Sequence, residues 1–440
     1  MELENFFNPR TIAVIGASHS KEKVGHDIFY NLLKEKKRVY AVNPNATSIL
    51  GEPSFASVLD IKAEIDLAII AIPAKLVPKV IEECGQKAVK AVIIISSGFS
   101  EAGNKALEKE VIETAQKHNI RILGPNCLGV IVPRINMNAS FFSKTPEKGG
   151  ITFISQSGAL GVAMLDWAIK HQLGLSAFVS MGNAGDVDFA DMIKYFEKDA
   201  DTKAICLYME SLKDGRKFLE ATKDCKKPII VLKAGRTEGG QKAAATHTAA
   251  LATEDRVYDG AFRQYRLIRV NTLYQLFEIA QYFVYGHAPK GKRGLIVTNA
   301  GGPGVLASDG FEREGIEIVK IDEAKEELNK VLPQQWSKSN PVDIVGDATP
   351  DRYKAVFDVL KNKKFFDFVL CILTPQAMTE PKDVAELFVK FYRETGVPCF
   401  GCFMGGDSIS TAKRILRDNH ITNFVEPDYA AKVISKMVKK

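Results

Sequence analysis

TIAVIGAS, residues 11–18, is the stretch on which the reading of this chain turns. Ile12 to Ile15 form a short apolar run that ends in Gly16, with the small residues Ala17 and Ser18 behind it. Such a run fits a strand buried on both faces, as in a parallel sheet, and the glycine marks a turn. The design recurs in RVYAVNP (38–44), IDLAIIAIP (65–73), KAVIIISSGF (90–99) and IRILGPNCLGV (120–130), with helical stretches such as 27–35 and 76–86 between them. Five parallel strands alternating with helices make an α/β unit, placed at residues 1–132. Residues 133–150, with Pro133, Pro146 and paired glycines, read as a connection.

Two further units follow. GITFIS (150–155), LSAFVSMG (175–182), AICLYMES (204–211) and KPIIVLKAG (227–235) read as strands of a second unit, 146–286, closed by a helix near 273–284. GHAPKGKRG (286–294) reads as a linker. GLIVTNAGG, FVLCILTP and PCFGCFMGG supply strands for a third unit, 291–440. The expected fold class is therefore α/β, with three doubly wound domains.

Composition narrows the function. Of 440 residues, 46% are hydrophobic and 25% charged, the balance of a soluble globular protein. The formal charge of +6, from 59 basic and 53 acidic residues, suits small anions and gives no basic stripe for nucleic acid. No apolar run reaches bilayer length, and the start MELENFFNPRTIAVIG enters a strand at once, unlike a targeting peptide. Seven scattered cysteines fit a reducing cytoplasm, and the C-x-x-C pair Cys399 and Cys402 lies in an apolar run that reads as a buried strand. A soluble cytoplasmic protein is expected, without membrane or nucleic-acid partners and without a metal site of its own.

The turn Gly16-Ala17-Ser18 begins like a dinucleotide fingerprint but lacks the G-x-G-x-x-G spacing, and Gly25 comes much later. The second strand ends in Asn43-Pro44, where a nicotinamide enzyme carries a carboxylate for the ribose. Both departures speak against a nicotinamide-dependent oxidoreductase. The turns Ser96–Phe99 and Gly124–Cys127 end strands on the same edge, where such sheets bind ligands.

Two glycine-rich turns have the character of anion cradles. In Ile154-Ser155-Gln156-Ser157-Gly158 a strand passes into a helix, offering backbone N–H groups and hydroxyls to a negative group. Asn299-Ala300-Gly301-Gly302-Pro303-Gly304 repeats the logic, with Pro303 suited to a first helical turn. Neither is a P-loop. KAGRTEGGQKAAATHTAALA (233–252) places His247 among small residues. A neutral imidazole can accept and return a phosphoryl group, and small neighbours leave it room. A carboxylate on the other ring nitrogen would fix its tautomer, and Glu210, at a strand end, is the best-placed candidate. From the residues alone, a surface-loop histidine and an exposed strand-end acid remain open.

Taken together and in order, VIGAS, GPNCLGV, ISQSGALG, ATHTAALA, TNAGGPGVLA, NPVDIVGDATPDRY, LTPQAMT and FMGG resemble the nucleoside-diphosphate-forming acyl-CoA synthetases. More narrowly, they are similar to the α subunits of ADP-forming acetate–CoA ligases, within the succinyl-CoA synthetase superfamily. The resemblance runs along essentially the whole chain. It implies a CoA-binding Rossmann-like domain followed by two flavodoxin-like ligase domains. It implies phosphorylation of His247 with Glu210 as its support, and phosphate cradling by Ser155, Gln156, Ser157 and Gly158 and by Asn299, Gly301, Gly302 and Gly304. CoA contacts are implied at Gly16, Ala17, Ser18, Lys23, Gly25, Asn43, Pro44, Ser97, Gly98 and Asn126. The chain departs from the family at Ala249 and Ala250, where Gly-Ser is common. The family also needs an ATP-grasp module for ADP or ATP and Mg²⁺. The expectation is a separate β subunit, in an α2β2 assembly acting on small carboxylic acids and acyl-CoA. A CoA-binding regulatory protein without turnover is the competing reading.

Overall fold

The computed structural model describes residues 3–240, 254–285 and 288–438. The chain divides into two compact units, Met1–Ala280 and Gln281–Lys440.

The first unit holds two sheets. In the first, the strands lie in the spatial order Ser48–Ile49, Glu52–Phe55, Val39–Val42, Ile12–Ile15, Leu67–Ile70, Ala91–Ile94 and Arg121–Leu123. All pairings are parallel except the small hairpin of Ser48–Ile49 with Glu52–Phe55. Leaving that hairpin strand aside, the order is the one Rossmann folds use. Ile12–Ile15, Leu67–Ile70 and Ala91–Ile94 are buried at every residue, which is why they read as unbroken apolar runs. Glu52–Phe55 escapes a sequence reading because it is exposed or half-buried and contains Pro53, features of a strand near a sheet edge. The strand order reverses beside Ile12–Ile15, which opens a crevice over its carboxyl end.

The second sheet runs Ile268–Val270, Ile229–Lys233, Ala204–Met209, Lys148–Ser155 and Leu175–Ser180, all parallel, in the flavodoxin order. A hairpin, Gly129–Val132 with Met137–Ser140, then adds antiparallel to Leu175–Ser180. The run IRILGPNCLGV is thus divided between two sheets: Arg121–Leu123 closes the first, and Gly129–Val132 joins the second. The stretch read as a connection contains the strand Met137–Ser140. The physical cause is burial of an otherwise open edge, since Val130, Ile131, Met137 and Ala139 are fully buried. Gly129 permits the pairing: it has φ +116°, and a Cβ there would lie 2.1 Å from the Ala139 carbonyl oxygen.

Polar ties join the two halves of this unit. Asn31 Nδ2, on the helix Val24–Lys34, donates to the Ser140 and Phe142 carbonyls at 2.9 and 3.0 Å. Arg121 Nε meets Asp186 at 2.9 Å and its Nη2 meets Asp191 at 3.3 Å, while Lys217 pairs with Asp188 and Asp191. The second unit is a smaller parallel sheet in which Arg293–Thr298 pairs with Glu317–Ile318, Val342–Asp343 and Phe368–Leu373, and Cys399–Phe403 lies outside Phe368–Leu373. Cys399 and Cys402 are buried there as packing groups, with thiols raised by desolvation. The three-sheet α/β architecture agrees with the expected fold class.

Candidate functional site

The residues expected to meet CoA gather at one edge of the first sheet. Gly16 leaves the first strand at φ +95°, and a Cβ on it would lie 2.3 Å from the Ala71 carbonyl oxygen. Gly25, in the first turn of Val24–Lys34, lies so near the turn that a Cβ would fall 1.9 Å from the Gly16 carbonyl oxygen. One glycine makes the turn and the other lets the helix close on it, the two steric tasks of a fingerprint, at different spacing. Asn43 Nδ2 donates to the Ala17 carbonyl at 2.8 Å, and its Oδ1 accepts from Asn45 N at 2.9 Å. The carboxamide thereby fastens the second strand's end to the first turn. Ser18 Oγ accepts from Ser20 N at 3.1 Å, while Lys23 and Pro44 are exposed.

Ser97 and Gly98 follow Ala91–Ile94, and Asn126 follows Arg121–Leu123, on the same edge. Gly98 and Phe99 donate their N–H groups to Glu101 Oε1 at 2.6 and 3.2 Å. Asn183, from the second sheet's side, donates to Glu101 Oε2 at 2.6 Å, Glu108 Oε2 at 2.8 Å and Ser100 Oγ at 3.1 Å. Its Oδ1 accepts from Asn126 Nδ2 at 3.3 Å. Burial alone would raise the Glu101 carboxyl, but hydrogen bonds from Asn183, Gly98 and Phe99 outweigh it and hold the group below its ordinary value. Asn183 was not singled out from sequence, because its partners are fixed only where the two halves meet.

The first turn expected to cradle an anion lies where Lys148–Ser155 passes into the helix Gly158–Lys170. Ser157 caps that helix by accepting from Leu160 N at 3.3 Å, and Ser155 Oγ, fully buried, donates to Ser157 O at 2.8 Å. Gly161 lets the helix lie on the sheet, since a Cβ there would meet Phe178 Cζ at 2.7 Å. Gln156 Oε1 accepts from Glu210 N at 2.6 Å and Ser211 N at 3.0 Å. With both neighbours donors, the carboxamide orientation is fixed, and its NH₂ is left as a donor. Glu210 is buried, at 9% exposure, one residue beyond Ala204–Met209. It takes a hydrogen bond from Tyr208, whose phenol is pushed up to about 12, first by burial and then by the Glu210 charge and that bond.

Asn126, Gln156, Asn183 and Glu210 line one cleft of about 930 Å³. The structure therefore brings Asn126, at the carboxyl edge of the first sheet, and Gln156, of the first expected cradle, into a single space. The second cradle belongs to the other unit. There Asn299 is fully buried, donating from Nδ2 to Thr374 O at 2.8 Å and accepting Thr374 N at 2.9 Å. Gly301, Gly302, Pro303 and Gly304 form the first turn of Gly301–Arg313. Gly304 packs against Thr298 and Pro341, whereas a Cβ on Gly302 would meet nothing within 4 Å. Asp343 Oδ2 lies 3.2 Å from where a Gly301 Cβ would stand, a carboxylate at the positive end of that helix. Asp343 also went unremarked in the sequence, because its motif carries no signal for this approach. His247 lies outside the described residues. Among the described residues no three His, Cys, Asp or Glu side chains gather as a metal site, and no helix is long and apolar enough to cross a membrane.

Comparison with known proteins accords with the three-sheet α/β fold. Residues 10–133 match the CoA binding domain model, 148–283 the succinyl-CoA ligase like flavodoxin domain, and 294–425 the Ligase-CoA domain. The chain is 42% identical to acetate–CoA ligase [ADP-forming] I of Archaeoglobus fulgidus over 98% of its length, spanning 63% of that longer protein. It is 42% identical to the α subunit of acetate–CoA ligase [ADP-forming] I of Pyrococcus furiosus, covering 100% of this chain and 98% of that one. The solved structure of dinucleotide forming acetyl-coenzyme A synthetase 1 from Ca. Korarchaeum cryptofilum, in complex with phosphate and ADP, is similar at 35% identity and TM-score 0.94, covering 99% of this chain and 96% of that one.

Proposed function

The chain belongs to the family of ADP-forming acetate–CoA ligases, and from that premise we propose that it is the α subunit of an ADP-forming acyl-CoA synthetase. It converts acyl-CoA, phosphate and ADP reversibly into a carboxylic acid, CoA and ATP. Residues 1–132 form the CoA-binding domain, 146–286 the ligase domain with the carrier histidine, and 291–440 the second ligase domain. CoA lies over the first sheet's edge, against Gly16, Ala17, Ser18, Lys23, Gly25, Asn43, Pro44, Ser97, Gly98 and Asn126. Its thioester end enters the cleft that Asn126 shares with Gln156 and Glu210.

A phosphate oxygen attacks the thioester carbonyl, the C–S bond breaks, and the CoA thiolate leaves and takes a proton. The helix start at Ser157 and Gly158, with the Gln156 NH₂, neutralises the phosphate's charge. A His247 nitrogen then attacks phosphorus; the P–O bond to the acyl group breaks, and the carboxylate leaves. Glu210 accepts the other imidazole N–H and holds the ring in register. Phosphohistidine passes its phosphoryl group to ADP on a separate ATP-grasp β subunit, which holds Mg²⁺, within a cytoplasmic α2β2 assembly. Asn299, Gly301, Gly302 and Gly304 cradle phosphate in the second ligase domain.

The observation that carries this reading is the cleft itself, where Asn126 of the CoA edge meets Gln156 and the buried Glu210. Incubation with acetyl-CoA and radiolabelled phosphate should place an acid-labile label on His247, and His247→Ala should abolish it. ATP synthesis by the alanine variant with its β partner would end the proposal. A non-catalytic CoA-binding role predicts CoA affinity without label.

A further inference from the structure

Asn183 ties the loop after Leu175–Ser180 of the second sheet to a loop of the first, and the reaction above gives it no task. Backbone bonds already join the two sides: Asn183 N donates to Pro125 O at 2.9 Å and Gly185 N to Gly124 O at 2.8 Å. A Cβ on Gly182 would lie 2.2 Å from that same Pro125 oxygen. The Asn183 side chain reaches further. Its Nδ2 lies 2.6 Å from Glu101 Oε2, 2.8 Å from Glu108 Oε2 and 3.1 Å from Ser100 Oγ, so one carboxamide serves two carboxylates. Glu108 also accepts from Ser100 N and Oγ at 3.2 and 2.6 Å, and Lys213 Nζ stands 3.9 Å from its other oxygen. A lysine at position 183 would offset more charge, but its three donors rotate; the planar carboxamide fixes direction instead.

Glu101 passes this constraint on to Gly98. Its Oε1 accepts the N–H groups of Gly98 and Phe99 at 2.6 and 3.2 Å, and Asn104 Nδ2 donates to Gly98 O at 2.9 Å. Both polar groups of Gly98 are therefore engaged within the chain, at φ +106°. Among the described residues outside its own neighbours, a Cβ on Gly98 would meet only Ala74 Cβ, at 3.4 Å. What Gly98 offers a ligand is bare backbone, its angle set by Glu101 and Asn104. We propose that Asn183 is a positioning residue for CoA, supplied from the second sheet's side, which through Glu101 sets the backbone at Gly98 against which CoA lies. This rests on the reading of Gly98 as a CoA contact. Asn183 acts through Glu101 and touches no reacting atom.

The test is calorimetric titration with CoA and steady-state kinetics with acetyl-CoA, phosphate and ADP, in the full chain assembled with its β partner. Asn183→Ala removes donors to charged acceptors, so CoA affinity should fall about tenfold and acetyl-CoA KM should rise to match. Phosphate KM should change less than about twofold, a split that general loosening of the fold would not give. Asn183→Asp keeps the shape, loses the donors and adds a third carboxylate, so its loss should be at least as large. In a Glu101→Gln background Asn183→Ala should cost less than about a further twofold, because residues acting through one contact are non-additive. Urea unfolding reports whether each variant folds. Should Asn183→Ala unfold, Glu101→Gln is the second variant: it keeps the acceptor for Gly98, loses the tie to Asn183 and should show the same split. An unchanged CoA affinity, an equal rise in phosphate KM, or a full additional loss in the Glu101→Gln background overturns the proposal. Wild-type CoA affinity in Gly98→Ala would instead refute the reading beneath it.

Discussion

Gln156 offers the sharpest test of how the site is built. Its Oε1 is the acceptor for two backbone N–H groups, those of Glu210 and Ser211. Gln156→Leu keeps most of the volume and removes the acceptor. An orphaned buried donor costs about 1–3 kcal/mol. Glu210 is 9% exposed and Ser211 is half-buried, so water recovers part of the second loss. The pair then amounts to about 2–4 kcal/mol of stability, read from urea unfolding. Gln156→Glu separates structure from chemistry. Its carboxylate still accepts both N–H groups, so most of the stability returns. It has lost the NH₂ donor and placed a second negative charge beside Glu210, so phosphate use should fall at least about tenfold. Stability within about 0.5 kcal/mol of wild type for Gln156→Leu would refute the acceptor role. Wild-type labelling of His247 by Gln156→Glu would refute the donor role.

Further outcomes follow from single contacts. Gly25→Ala pushes a Cβ to 1.9 Å from backbone that cannot give way, so it should cost about 1–3 kcal/mol and weaken CoA binding in calorimetry. Gly302→Ala meets open space, so its unfolding should match wild type while phosphate KM rises, if ligand approach is what the glycine serves. The Glu101 carboxyl is depressed in the folded chain, so its contribution exists above the ordinary glutamate value and is lost as pH falls through the lowered one. Glu101→Gln should therefore reduce stability at neutral pH and flatten the acid limb of the unfolding profile; an unchanged limb refutes the assignment. Val345 is a β-branched residue held at φ +72°, so Val345→Asn should stabilise the chain by about 1 kcal/mol in urea unfolding.

Much of the architecture was legible because parallel strands buried on both faces leave unbroken apolar runs, as at Ile12–Ile15 and Leu67–Ile70. Strands that are half-exposed or shared between sheets were not. Glu52–Phe55 carries no run, and Gly129–Val132 crosses to another sheet because Gly129 alone fits against Ala139. The strand-to-helix turn at Ser155–Gly158 and the strand-end position of Glu210 could be named from local composition, since turns and caps are short-range chemistry.

By itself the sequence determined where the strands buried on both faces form and which turns stand at their ends, for each depends on residues adjacent in the chain. Only tertiary structure decided that Gln156 reaches two N–H groups beyond the neighbouring strand and that Asn183 gathers Glu101, Glu108 and Asn126. Those contacts join residues dozens of positions apart, and hydrogen bonds and fields act over a few ångströms of space, whatever the distance along the chain.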